Sequence, residues 1–118
     1  MNIKHTFPLN IFRAYDIRGK LSNLTPQVIC SIAYALADQY KKSKQNHIVI
    51  GYDARLTSPT YANIIQQIFE QQGIVVTNIG CCSSPMMYYI ARDFGGNGII
   101  VTASHNPKSD NGIKWILK

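Results

Sequence analysis

Apolar residues recur along this chain in two rhythms. Val28, Ile29, Ile32, Ala33, Leu36 and Tyr40 fall at helical spacing, which predicts a helix from Pro26 to about Lys42. Thr25-Pro26 supplies its start, with Thr as N-cap and Pro at the first helical position. After a polar turn over residues 43–46, His47-Ile48-Val49-Ile50-Gly51-Tyr52 is apolar at consecutive positions and reads as a strand buried on both faces. The loop Asp53–Thr57 follows. Ser58-Pro59 repeats the start signature, with Ser58 as the expected cap, and Tyr61, Ile64, Ile65, Ile68 and Phe69 form a second helical stripe closed by Gly73. Ile74–Ile79 predicts another strand, closed by Gly80. Ser83 or Ser84 before Pro85 opens a third helix with Met86, Met87, Tyr89 and Ile90 as its apolar positions.

Beyond that helix, the turn Gly95-Gly96-Asn97-Gly98 delivers a short strand, Ile99-Ile100-Val101, into the loop Thr102-Ala103-Ser104-His105-Asn106-Pro107. Asn111-Gly112 is expected to turn the chain back through Ile113–Leu117. At the other end, loose polar sequence leads into Phe12-Arg13-Ala14-Tyr15-Asp16-Ile17-Arg18-Gly19, read as an irregular strand on the domain edge, with Phe12, Tyr15 and Ile17 packing and Arg13, Asp16 and Arg18 facing elsewhere. The alternation of helix and strand gives an α/β class, with a mixed, mainly parallel sheet and helices on both faces. Ligands bind such sheets at the carboxyl ends of the strands, where the Asp53–Thr57, Gly80–Ser84 and Ser104 loops all fall.

At 118 residues the chain is one domain, 1–118, or part of one. A hydrophobic fraction of 46% with 15% charged residues suits a packed core rather than disorder. No apolar run approaches the roughly 20 residues of a membrane span, and residues 1–15 lack a signal-peptide core, so a cytoplasmic protein with no membrane partner is expected. Cys30, Cys81 and Cys82 make a poor disulfide framework, and reduced, partly buried thiols are expected. The formal net charge of +6 attracts anions, but the cations are dispersed and no nucleic-acid-binding signature is present.

Ser104 ends a buried strand among small residues, which exposes a hydroxyl and lets loop N–H groups converge on an anion. The plainer alternative is that Ser104 and Asn106 make turn hydrogen bonds. Ser104-His105 is no hydrolase dyad by default, there is no Gly-x-Ser-x-Gly elbow, and the glycine turn lacks a P-loop's Gly-Lys-Ser/Thr ending. Phosphoryl chemistry on the serine remains. It needs cations, and Lys114, returned by a hairpin, and Arg18, from the N-terminal segment, are the candidates. The plainer readings are a solvated strand lysine and a surface Arg–Asp pair worth little.

Taken together, Thr102-Ala103-Ser104-His105-Asn106-Pro107, Asn111-Gly112-Ile113-Lys114 and Phe12–Gly19 closely resemble motifs of the α-D-phosphohexomutases, most of all the bacterial phosphomannomutase/phosphoglucomutase branch. Gly51-Tyr52-Asp53-Ala54-Arg55 and Ser58-Pro59 match in order and spacing. The resemblance implies the first domain of the phosphohexomutase fold and a mutase that moves phosphate between O1 and O6 of a hexose through a bisphosphorylated intermediate. By resemblance, Ser104 is the phosphoserine and, through its phosphate, the metal-side group. His105 contacts substrate or phosphoserine, Lys114 is the general acid/base or a phosphate clamp, and Tyr15 and Arg18 orient substrate and stabilise the transferring phosphate. Mg²⁺ is the implied cofactor, hexose 1,6-bisphosphate the activator, and a phosphohexose the substrate.

Family members have four domains, and this sequence resembles most of the first. The expectation is therefore a truncated domain I, inactive alone, with most Mg²⁺ ligands outside it. The alternative is a remnant that binds phosphosugar or a protein partner without turnover. A serine hydrolase is a third, weaker reading. The face meant for a neighbouring domain would invite dimerisation.

Overall fold

The computed structural model describes residues 2–5, 13–103 and 106–118, with residues 2–5 and 13–14 described as backbone only. Strands β1 (Asn2–His5) and β2 (Arg13–Lys20) precede helix α1 (Pro26–Lys42). Strand β3 (His47–Tyr52), helix α2 (Ser58–Gln71), strand β4 (Val75–Cys81), helix α3 (Ser84–Asp93) and strands β5 (Gly98–Val101) and β6 (Asp110–Leu117) follow. Among the described residues the strands form one sheet in the order β1-β2-β6-β5-β3-β4. The strands linked through α2 and α3 (β3, β4 and β5) run parallel, as the alternation predicts. The outer pairings β1–β2, β2–β6 and β5–β6 are antiparallel.

Strand alternation sends side chains to two cores. Ile48, Ile50, Ile99, Val101, Ile113, Trp115 and Ile17 pack beneath α1 and α2. Val49, Ile100 and Ile116 face the other way, against Met87 and Ala91 of α3. Helices therefore cover both faces. The buried Tyr40 hydroxyl of α1 donates to the Ile116 carbonyl at 2.7 Å and so ties the helix to β6. Thr25 caps α1 by accepting from the Val28 N–H at 3.3 Å, and Ser83 caps α3 by accepting from Met86 N–H at 3.3 Å, which settles the choice between Ser83 and Ser84.

Several expectations are corrected. The segment around Arg18 is a regular strand inside the sheet, held between β1 and β6, and the polar sequence at residues 2–5 supplies the edge strand beside it. Ser58 is the first residue of α2 rather than its cap. Its hydroxyl donates to the Asp53 carboxylate at 2.6 Å and accepts from Asn111 at 3.0 Å, so it serves the loop rather than a helix N–H. Gly80 does not close β4. It bends the strand, at φ 76°, where the β3–β4 register shifts, and Cys81 still pairs with Tyr52. Cys81 is exposed rather than partly buried, and all three cysteines are free. Met86 and Tyr89 face solvent, leaving Met87 and Ala91 as the buried residues of α3.

Asn111-Gly112 is not the turn. The chain turns earlier, where Asp110 N–H bonds the Pro107 carbonyl at 2.9 Å, and both residues lie inside β6. Gly112 is there for close approach: a Cβ would collide with the Ile17 carbonyl and stand 3.1 Å from the Thr102 carbonyl and from the Arg18 Cα. Backbone on both sides cannot yield as a flexible side chain can. Gly112→Ala is expected to cost about 1–3 kcal/mol, as forcing atoms into packed sites does, read as a lower urea midpoint. An unchanged midpoint would show that the strands separate without cost.

Candidate active site

The carboxyl ends of β3 and β5 lie at one sheet edge, and the loops there are bonded to one another. Asp53 N–H reaches the Val101 carbonyl at 3.0 Å, and Cys82 N–H reaches the Tyr52 carbonyl at 2.9 Å. Arg55 is the centre of this edge. Its Nη1 donates to the Pro107 carbonyl at 2.7 Å and the Asp110 carbonyl at 3.2 Å, and its Nη2 donates to the Asn106 carbonyl at 2.9 Å. Its Nε is held by Asp53 Oδ2 at 3.1 Å. One planar guanidinium thus grips the backbone that follows Ser104.

Asp53 is fixed in turn. Burial alone would raise its carboxyl, but hydrogen bonds from Ser58, the Arg55 N–H, Thr102 and the Arg55 side chain outweigh burial and hold it below the ordinary value. Buried Asn111 completes the frame, donating to Thr57 Oγ1 at 2.8 Å and to Ser58 Oγ at 3.0 Å.

The antiparallel β2–β6 register places Asp16 opposite Lys114 and Arg18 opposite Gly112, all on the α3 face of the sheet. Arg18 Nη2 donates to Asp16 Oδ2 at 3.2 Å and Nη1 to Asn106 Oδ1 at 3.1 Å. Arg18 Nε is buried and has no hydrogen-bond partner among the described residues. Asn106 passes the link on, donating to Asp110 Oδ2 at 3.1 Å, while its own N–H bonds the Ala103 carbonyl at 3.0 Å. Lys114 lies beside Ile100 of β5. Burial and the Arg18 charge lower its ammonium pKa, and Asp16 partly offsets them. Tyr88 of α3 lies against the same cluster; its phenol is raised by burial and then by the Asp16 charge.

The structure thus brings Arg18 and Lys114 together and joins Arg18 to the loop. Ser104 and His105 lie outside the described residues. Tyr15 is on the opposite face, stacked on Trp115 with ring centroids 5.5 Å apart. A groove of about 450 Å³ on that face is lined by Ile17, Val28, Ile32, Leu36 and Trp115 among others and carries no charged group, so it does not suit a phosphate. The Asp16–Arg18 pair is not the surface pair of the plainer reading, because Asp16 is 5% exposed.

Sequence reasoning gave Asp16 and Arg55 no role. Strand parity carried the signal for Asp16, which sits two residues before Arg18. No local pattern carried it for Arg55, whose partners are loop carbonyls distant in sequence. The described residues do not fit a divalent cation by themselves: no three metal-binding side chains cluster, and Asp16, Asp53 and Asp110 are each hydrogen-bonded elsewhere. No helix among the described residues is long and apolar enough to cross a membrane.

Similarity to known proteins follows the same lines. The family model for phosphoglucomutase/phosphomannomutase, alpha/beta/alpha domain I, matches residues 9–118. A phosphoglucomutase of Neisseria meningitidis serogroup A is 39% identical over 110 residues, covering 92% of this chain and 24% of that protein. A phosphomannomutase/phosphoglucomutase of Pseudomonas syringae pv. tomato is 33% identical over 112 residues, covering 93% of this chain and 24% of that protein. A crystal structure of a phosphoglucomutase/phosphomannomutase family protein from Burkholderia thailandensis superposes with a TM-score of 0.79 at 31% identity, over 88% of this chain and 25% of that one. The chain spans about a quarter of the length of the curated relatives it matches.

The Asp53 network predicts how stability depends on pH. Its lowered pKa means that the folded state favours the carboxylate, so the contribution is full above the unfolded value and is lost as pH falls through the folded one. The stability difference between wild type and Asp53→Asn, followed by urea unfolding, should be constant near neutrality and shrink in acid. A difference independent of pH would contradict the network.

Proposed function

The chain belongs to the phosphoglucomutase/phosphomannomutase family, matching its domain I; from that premise we propose that it carries the phosphoserine half of a hexose-phosphate mutase site. One observation carries the proposal. Arg18 and Lys114 converge on a single sheet face beside the strand that leads into Ser104, and Arg18 is hydrogen-bonded to Asn106 of the same loop. Two cations at a loop serine suit a group that alternates between hydroxyl and phosphate.

In the proposed reaction a sugar hydroxyl oxygen attacks the phosphorus of phosphorylated Ser104. The new P–O bond forms as the bond to Ser104 Oγ breaks, and the hydroxyl proton passes to a base. Lys114 suits that role because its lowered pKa increases its neutral fraction; as an ammonium it clamps the phosphate instead. The bisphosphorylated hexose then turns over, its other phosphate returns to Ser104, and the proton goes back to the departing sugar oxygen. Arg18 stabilises the transferring group, and His105 contacts substrate or phosphoserine. Tyr15 is proposed to act only on substrate that approaches from the α1 face, where its ring lies. Magnesium would be held through the Ser104 phosphate, with most of its ligands outside this chain, and would neutralise charge on the transferring group.

A chimaera tests the proposal: the Neisseria meningitidis phosphoglucomutase with its matched segment replaced by residues 9–118. After incubation with hexose 1,6-bisphosphate, mass spectrometry should find one phosphoryl group on the peptide containing Ser104. The chimaera should interconvert hexose 1- and 6-phosphates. Ser104→Ala should abolish both, and Lys114→Gln should lower turnover about 100-fold or more. Phosphorylation at another residue, or activity surviving in Ser104→Ala, would overturn the assignment. Phosphosugar binding without turnover would favour the remnant reading.

A further inference from the structure

Asp16 is the residue of this cluster that the proposed reaction does not use. A carboxylate that is 5% exposed is costly to bury unless it is fully compensated. Compensation comes from both neighbouring cations. Arg18 donates to Oδ2 at 3.2 Å, and Lys114 stands directly across the β2–β6 ladder. On the other side, β1 pairs Lys4 with Asp16 in register. Tyr88 of α3 lies against the cluster and feels the Asp16 charge. Arg18 and Lys114 repel one another, and Asp16 is the carboxylate adjoining both.

The geometry also fixes direction. Arg18 has one terminal nitrogen on Asp16 and the other on Asn106 of the serine loop, so Asp16 is the inner anchor from which the guanidinium reaches outward. The buried Nε stays without a partner among the described residues, so the aim of the group rests on those two bonds.

We infer that Asp16 is a positioning residue of this site: its carboxylate is the fixed counterion that stands between Arg18 and Lys114 and aims Arg18 at the serine loop. The inference rests on the phosphoryl-transfer reading of the site, but its physical core, the coupling of Asp16 to Lys114, exists in the chain alone. Asp16→Asn keeps the shape and an acceptor for Arg18 while removing the charge. Asp16→Asn removes the charge that partly offsets the burial and the Arg18 repulsion lowering the Lys114 pKa.

Two measurements separate this inference from the mutase reading. The first is NMR titration of Lys114 in the 118-residue chain labelled at lysine Cε. Lys114 should titrate at lower pH in Asp16→Asn than in wild type. If Asp16→Asn fails to fold, Asp16→Ser, a second neutral variant, should show the same displacement. An identical Lys114 titration in wild type and the neutral variant overturns the inference whatever the enzyme does. The second is the pH–rate profile of the chimaera. Asp16→Asn should lower turnover about 10–100-fold, as loss of a supporting residue around a reactive group does, and should move the limb set by Lys114 to lower pH. Asp16→Glu should restore the position of that limb. A rate loss with an unmoved limb would make Asp16 merely structural. Absence of Ser104 phosphorylation in the unsubstituted chimaera would sink the mutase reading while leaving the Lys114 titration to decide the coupling.

Discussion

The register between β2 and β6 is the constraint on which this site depends. It sets Asp16 across from Lys114 and brings the Arg18 position against Gly112, the residue whose missing side chain lets the strands close. A slip of β2 by one residue would turn Arg18 and Asp16 to the α1 face, away from Lys114, and push Tyr15 and Ile17 out of the core. The apolar residues therefore hold the charged ones in place. Ile17, Ile113 and Trp115 are buried under α1, so the intervening positions must face α3. The chemistry is carried by the residues left over from the packing.

A second device positions the loop against that frame. Arg55 grips three carbonyls between Asn106 and Asp110, and Asp53 holds Arg55 from the end of β3. Ser58 and Asn111 close the circuit back to β6. The loop after Ser104 is thus fastened to a helix and two strands by polar groups that are themselves fixed. A phosphoryl group needs such preorganisation, since donors that must reorganise lose much of their electrostatic advantage.

Much of this was legible in the sequence where local physics decides. Thr25-Pro26 and the stripe from Ile29 to Tyr40 specified α1, and the consecutive apolar run His47–Tyr52 specified a strand buried on both faces. Long-range pairing was less legible. Asn111-Gly112 has the composition of a turn, but its glycine answers to a neighbouring strand that only the fold brings close. Ser58 looks like a cap because Ser-Pro usually is one, and an Asp53 carboxylate five residues earlier redirected its hydroxyl. Arg18 and Lys114, named together from the sequence, lie on one face of the sheet. Tyr15 was grouped with them, yet strand alternation sends adjacent side chains to opposite faces, and Trp115 holds its ring on the other one.

Arg18 and Lys114 put two cations on the face beside the strand that leads into Ser104, and the proposed phosphoserine rests on that field. The direct measurement is ³¹P NMR titration of the 118-residue chain with phosphoserine incorporated at position 104. In an unfolded peptide the second ionisation of phosphoserine lies near about 6. A clearly lower midpoint is expected in the folded chain, returning toward the peptide value in Arg18→Gln. A folded chain whose phosphate titrates like the peptide's, with or without Arg18, would contradict it.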